Sequence, residues 1–321
     1  MAMRRHKMEY CFGVDIGGTT IKMGLFSRKD GLLEKWEIPT RKGTNPTALL
    51  KDVALAIEKC LLEKGIKKER LEGVGMAAPG PVTEDGCLRG AINIGWGDVF
   101  LADEAEKILG ISPILIGNDA RVAAFGEYTF GAGKDTNSLL MITLGTGVGG
   151  GVILNGQILA GKTGTAGEIG HTTINPFETQ PCNCGKKGCL EQYASATGMV
   201  RVAQKFLKES DKPSMLRQLE QITAKDVWDK AKVGDEIALQ TAQYVSRLLG
   251  MAIANACYIA DPEIVLIGGG VSQAGEFLLT MVQEAYCENI YSHCRDKKFA
   301  LAKLRNDAGI YGAAALVFQK K

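Results

Sequence analysis

An α/β protein built from two related domains is what this sequence predicts, on three observations. Apolar strand-like runs alternate with amphipathic helical runs along most of the chain, the pattern of layered helices and mainly parallel central sheets. A strand, a glycine turn and a second strand occur twice, far apart. The 321 residues are enough for two cores, and the 40 glycines gather in short clusters rather than in a low-complexity stretch. Average glycine usage is roughly 7%. The excess therefore points to tight turns and close backbone approach.

The first element is Phe12-Gly13-Val14-Asp15-Ile16-Gly17-Gly18-Thr19-Thr20-Ile21-Lys22-Met23-Gly24-Leu25, a hairpin-like segment. Residues 46–64 carry apolar side chains at Leu49, Leu50, Val53, Ala54, Ile57 and Leu61, a helical spacing. Residues 71–78 read as a buried strand ending at the Pro79-Gly80-Pro81 turn, 98–109 as a helix and 113–116 as a strand. Asn118-Asp119 stands where the next helix, 120–128, begins. Met141-Ile142-Thr143-Leu144-Gly145-Thr146-Gly147-Val148-Gly149-Gly150-Gly151-Val152-Ile153-Leu154 then repeats the opening plan, with Asp15 matching Thr143 and Gly17 matching Gly145. Both turns are expected to need glycine's positive φ. Helices follow over 197–208, 223–231 and 235–260, and a strand over 263–267 runs into Gly268-Gly269-Gly270. A helix over 275–288, a strand over 299–304 and a closing helix over 309–319 complete the chain. The expected division is 1–119 and 120–308, the second part carrying a loop at 171–191.

Charge and hydropathy exclude several classes. A formal net charge of +2 with no extended Lys/Arg cluster gives no footprint for nucleic acid. The most apolar helical stretch, 248–260, is far short of the roughly 20 residues a membrane span needs, and the basic N-terminal residues lack the apolar region of a signal peptide. Nine cysteines, six of them scattered in apolar or helical text, suggest a reduced cytoplasmic protein.

The remaining three cysteines, Cys182, Cys184 and Cys189, follow His171 at a spacing that can surround one tetrahedral zinc ion. Such a Cys₃His set is closed to water and hence structural; disulfide bonding or idle thiols are the alternatives. Glu168 and Glu191 flank the set, as surface carboxylates or as acceptors for vicinal hydroxyls. Asp15-Ile16-Gly17-Gly18-Thr19-Thr20 and Gly145-Thr146-Gly147 could each bring backbone N–H groups to a phosphate, with Asp15 holding Mg²⁺. A ligand-free hairpin turn is the plainer reading of either, but two in register favour a nucleotide. Neither has a P-loop ending nor opens a helix as a dinucleotide fingerprint does. Gly268-Gly269-Gly270 lies at a strand's carboxyl end, as a simple turn or as an adenosine contact. Asn118-Asp119 can be a helix cap, and that position favours an ionised carboxylate able to take a proton from a hydroxyl.

These residues together resemble the ROK family of sugar kinases, through Asp15-Ile16-Gly17-Gly18-Thr19, Ala166-Gly167-Glu168-Ile169-Gly170-His171 and Cys182-Asn183-Cys184-Gly185-Lys186-Lys187-Gly188-Cys189-Leu190-Glu191. The resemblance spans nearly the whole chain. It implies an actin-like, hexokinase-type fold related to ribonuclease H, with mixed central sheets and a cleft between two domains. It implies that the closing helix, 309–321, returns to the first domain. The implied activity is ATP-dependent phosphorylation of the 6-hydroxyl of glucose, or of N-acetylmannosamine, N-acetylglucosamine, fructose or allose; a non-catalytic sugar-binding protein is the rival outside enzymes. Asp119 would be the general base, with Gly80, Asn93, Asn118, Glu168, His171 and Glu191 binding the sugar. ATP and Mg²⁺ would meet Asp15, Gly17, Gly18, Thr19, Thr20 and Lys22, then Gly145, Thr146 and Gly147, then Gly268, Gly269 and Gly270. His171, Cys182, Cys184 and Cys189 would hold zinc, and a homodimer is expected by the same resemblance. Some relatives carry a DNA-binding helix-turn-helix ahead of the first glycine motif; 14 residues precede Asp15 here, too few for one.

Overall fold

A computed structural model describes residues 8–41, 45–83, 85–91 and 94–320, and it resolves into two compact units. The first comprises the described residues of Met1–Lys134 with Ile158–Ala166 and Asn306–Lys321; the second comprises Asp135–Gln157 and Gly167–Arg305.

The first unit opens with a three-stranded meander, β1 (Tyr10–Ile16), β2 (Thr20–Ser27) and β3 (Gly31–Pro39). Helix α1 (Pro46–Lys64) begins where the Asn45 side chain accepts the Ala48 N–H and ends at Gly65 in the left-handed conformation. Then come β4 (Leu71–Ala78), a small ribbon of β5 (Cys87–Leu88) and β6 (Val99–Phe100), α2 (Leu101–Leu109), β7 (Ile114–Asn118) and α3 (Asp119–Phe130). The sheet order is β3-β2-β1-β4-β7, with β1, β4 and β7 parallel. One face is covered by α1 and α2 over a core that includes Phe12, Val14, Ile21, Leu50 and Met76. The other face receives α9 (Ala308–Gln319), whose small residues lie against the strands. A Cβ added at Gly13 or Gly75 would stand 2.1 Å from the Ile310 carbonyl oxygen or 1.8 Å from that of Ala313. Glycine is therefore required in the strands for the helix to seat.

The second unit repeats the plan. Strands β8 (Leu139–Leu144), β9 (Val148–Leu154) and β10 (Gln157–Ile158) precede α4 (Glu191–Ala194), α5 (Ala196–Glu209), α6 (Ala224–Lys232) and α7 (Glu236–Ala260). After them come β11 (Ile264–Gly268), α8 (Glu276–Asn289) and β12 (Lys298–Leu301). The order β10-β9-β8-β11-β12 matches that of the first sheet strand for strand, and β8, β11 and β12 are parallel. Trp228, Tyr286, Leu249 and Ile253 are among the buried residues that pack its helices together.

Two sheets of this order in one chain form the actin-like, ribonuclease H-like α/β architecture. The sheets are mixed rather than mainly parallel, because each begins with antiparallel neighbours. The edge strands β3 and β10 lie outside the segments the sequence marked as strands. The helix expected over 98–109 starts only at Leu101, since Val99 and Phe100 pair with β5, and the strand expected over 299–304 stops at Leu301. Among the described residues no helix is long and apolar enough to cross a membrane.

Candidate functional site

In the first unit the carboxyl ends of the parallel strands gather the candidate residues. Asp15 lies beside Ala77 on β4, and Ala78 lies beside Asn118 on β7, so Asp15, Asn118 and Asp119 share one edge. Asn118 is the cap of α3: its Oδ1 accepts the Arg121 N–H at 3.1 Å, and its Nδ2 donates to the Gly80 carbonyl at 3.1 Å and to Asp119 Oδ1 at 3.0 Å. Gly80 adopts φ 114°, a conformation side chains rarely take, which turns that carbonyl toward the amide. The Ala120 N–H donates to Asp119 Oδ1 at 2.7 Å.

Burial raises the Asp119 carboxyl above its ordinary value, and it outweighs the Ala120 and Asn118 hydrogen bonds and the Arg121 charge, which pull the other way. The helix terminus alone suggested the opposite direction; desolvation reverses it. Asp15 is raised from 3.8 to about 6, first by burial and then by the charge of Asp119, against the attraction of Lys22. A carboxyl raised in the folded state stabilises the fold fully below its unfolded value and loses that contribution as pH climbs through its folded value. Asp15→Asn is therefore expected to stabilise the protein at pH 8 by on the order of 2–3 kcal/mol. The difference should vanish below pH 3.8; thermal unfolding at both pH values tests it.

The turn after Asp15 is closed by Gly17 N–H donating to Thr20 O at 3.1 Å, and by the Thr40 side chain donating to Gly17 O at 2.7 Å. Lys22 donates to the Asn306 carbonyl at 2.9 Å. Contrary to expectation, Gly17, Gly18, Gly145 and Gly147 are not in the positive-φ conformation. Space, rather than handedness, calls for glycine at Gly147. A Cβ at Gly18 or Gly145 would meet nothing within 4 Å, whereas one at Gly147 would stand 2.4 Å from Glu191 Oε2. The open positions leave backbone exposed for close approach by a ligand.

In the second unit Gly145, Thr146 and Gly147 lie beside Gly268, Gly269 and Gly270, since Gly268 pairs with Thr143 and a Cβ on Gly269 would strike Leu144. The same turn is strapped to the segment after the cysteine loop. Glu191 Oε2 accepts the Val148 N–H at 3.0 Å, Ala196 N–H donates to Gly145 O at 2.8 Å, and the Thr197 hydroxyl donates to Thr146 O at 3.1 Å. A cavity of about 190 Å³ is lined by residues including Thr146, Cys182, Glu191, Ser195, Thr197 and Arg201.

His171 sits in a helical turn over Ile169–His171, following Glu168. Its ring and the thiols of Cys182, Cys184 and Cys189 place four ligand atoms within 4.8 Å of one another. Cys184 Sγ and Cys189 Sγ are 3.6 Å apart, and Cys182 Sγ is 4.0 Å from His171 Nδ1. Thiolates bound tetrahedrally to one zinc ion would stand about 3.7 Å apart. The set fits a metal ion, and no disulfide joins any of these cysteines. The loop is shaped by Cys182 N–H donating to Lys186 O at 2.6 Å and by a bridge between Thr173 and Cys189. Cys182 Sγ also approaches Glu191 Oε1 at 3.7 Å, so one carboxylate touches both the histidine–cysteine cluster and the glycine turn.

Asn93 lies outside the described residues. Sequence reasoning missed Ser195 and Thr197 as parts of this assembly. Ser195 caps α5 through its bond to Gly198 N–H and donates to the Glu191 carbonyl at 2.6 Å, a link no spacing rule reveals.

Residues 11–320 match the ROK family. The chain is 42% identical over 314 residues to a glucokinase of Halalkalibacterium halodurans, covering 96% of this chain and 95% of that one. It is 37% identical to a glucokinase of Thermotoga maritima, over 96% and 97% of the two chains. The solved ROK family glucokinase of Streptomyces griseus, in complex with glucose and AMPPNP, is 33% identical with a TM-score of 0.77, over 97% of this chain and all of its own. Duplicated sheets, glycine turns, a helix-capping Asn118 followed by Asp119 and a histidine–cysteine cluster thus occur in a chain matched over residues 11–320, and it belongs to the ROK family.

Proposed function

We propose that this chain is an ATP-dependent sugar kinase that transfers the γ-phosphoryl group to the 6-hydroxyl of glucose. The observation that carries the reading is the Asp119 carboxylate, half-buried at the mouth of α3, hydrogen-bonded by Asn118 and Ala120, and beside a second carboxylate, Asp15. Asp119 takes the proton of the 6-hydroxyl as that oxygen bonds to the γ-phosphorus and the bridge to ADP breaks. Its raised pKa makes it a stronger base than an exposed aspartate. Most of the rate comes from positioning and charge stabilisation, as phosphoryl transfer requires.

Gly80, Asn93, Asn118, Glu168, His171 and Glu191 orient the sugar's other hydroxyls. The turns at Gly17, Gly18, Thr19 and Thr20 and at Gly145, Thr146 and Gly147 offer backbone N–H groups to the phosphates, with Lys22 adding charge. Gly268, Gly269 and Gly270 face the adenosine. Asp15 would hold Mg²⁺ accompanying ATP, which supplies positive charge against the phosphates; a cation there would offset the burial and the Asp119 repulsion that raise Asp15. His171, Cys182, Cys184 and Cys189 would hold a structural Zn²⁺ that fixes the loop bearing Glu191. A cytoplasmic homodimer completes the reading.

Glucose is favoured over other hexoses because the relatives from Halalkalibacterium, Thermotoga and Streptomyces, matched over nearly their whole length, are glucokinases. A coupled assay of ADP release with glucose, N-acetylmannosamine, N-acetylglucosamine, fructose and allose tests it. The highest kcat/KM should fall on glucose. A preference for another sugar would redirect the specificity, and absence of turnover on all five would remove the sugar-kinase assignment.

A further inference from the structure

Arg121 is 3% exposed, an unusual place for a guanidinium, and lies two residues after Asp119 on α3. Its backbone N–H is the donor that Asn118 caps. Its side chain reaches main-chain carbonyls distant in sequence: Nη1 donates to Ala160 O at 3.2 Å, and Nη2 donates to Gly164 O at 2.9 Å and to Val82 O at 3.4 Å. Two of these acceptors belong to the 158–166 segment, which counts with the first unit although the chain on either side of it belongs to the second. That segment is folded on itself, with Ala166 N–H donating to Ala160 O at 3.2 Å and Gly164 N–H to Gly161 O at 3.2 Å. It also sits tightly. A Cβ on Gly164 would stand 2.4 Å from the Val82 carbonyl oxygen, the neighbour Arg121 also binds. The residues that follow it directly are Gly167, Glu168 and the turn ending at His171.

We propose that Arg121 is a positioning residue whose guanidinium clamps loop 158–166 to the Asp119-bearing helix and thereby fixes where the segment carrying Glu168 and His171 begins. A guanidinium suits this role because its planar fork of donors can serve several carbonyls at once, which a lysine ammonium does less well. Burial makes each bond matter more, since a carbonyl left unmatched there loses its water as well. The sugar-binding consequence rests on the sugar-kinase reading above; the clamp itself does not.

Two measurements on Arg121→Met and Arg121→Lys separate these. Lys162 is exposed on the clamped loop, so trypsin cleavage after it reports loosening regardless of activity. Both variants should be cut there faster than wild type, by about tenfold or more in Arg121→Met. In steady-state kinetics the glucose KM should rise about tenfold in Arg121→Met, and less in Arg121→Lys, with the ATP KM unchanged. A purely structural role would instead lower the active fraction, reducing kcat and leaving both KM values alone; that pattern overturns the positioning role. Wild-type cleavage at Lys162 in folded Arg121→Met overturns the clamp. If Arg121→Met does not fold, wild-type cleavage in Arg121→Lys does so. Accelerated cleavage in a protein whose wild type phosphorylates no sugar would retain the clamp and discard the reading of the site.

Discussion

Asp119→Asn is expected to lower kcat about a thousandfold while leaving glucose affinity nearly intact. The amide is nearly isosteric, and its Oδ1 can keep the bond from the Ala120 N–H. What disappears is the ability to take a proton while the new bond to phosphorus forms. The loss should fall on kcat and kcat/KM together, because the interaction exists only in the transition state. Removing this charge also relieves Asp15, whose value of about 6 partly reflects its neighbour, so Asp15 should titrate closer to an ordinary aspartate in the variant. Stopped-assay kinetics and calorimetric glucose titration check the first part. Turnover near wild type would take Asp119 out of the mechanism.

Cys184→Ser is expected to empty the metal site and weaken the second unit. A site filled a thousandfold above its dissociation constant contributes ~4 kcal/mol to the folded state, and losing a ligand forfeits much of that. The effect should not stay at the loop. Glu191 lies between Cys182 Sγ and the Val148 N–H, and Ala196 and Thr197 continue the connection to Gly145 and Thr146. Both the glucose KM and the ATP KM should therefore rise, about tenfold for glucose, as second-sphere changes at metal sites commonly cost. Elemental analysis should give one zinc per wild-type chain and none in the variant. Unchanged metal content, melting temperature and kinetics would defeat the structural-zinc reading.

The parts legible in the sequence were those written over short distances. The cysteine spacing, each glycine hairpin and the capping Asn118 lie within single short stretches of chain, so one local pattern specifies each of them. The parts that were not legible depend on what folding brings from elsewhere. A helix mouth suggested a lowered Asp119, but the neighbours that bury it and place Asp15 beside it come from other strands. No local pattern singles out Arg121, because its acceptors lie 39 and 43 positions away. Strand β3 alternates half-buried and exposed residues in Gly31–Pro39, the weak signature of an edge. Backbone handedness is not what the glycines of the two turns supply: crowding by Glu191 calls for glycine at Gly147, while neither φ nor space calls for it at Gly18 or Gly145.

Helix α9 seats directly on β1 and β4 through Gly13 and Gly75, yet it is made long after them. During synthesis the early sheet must wait, with one apolar face bare, until residues 308–319 emerge, while the second unit already has every strand and helix it needs. Completion of the amino-terminal part ahead of the rest, common in vectorial folding, is therefore closed to the first unit. A nascent chain halted before that helix should bind chaperones through the uncovered side of its first sheet.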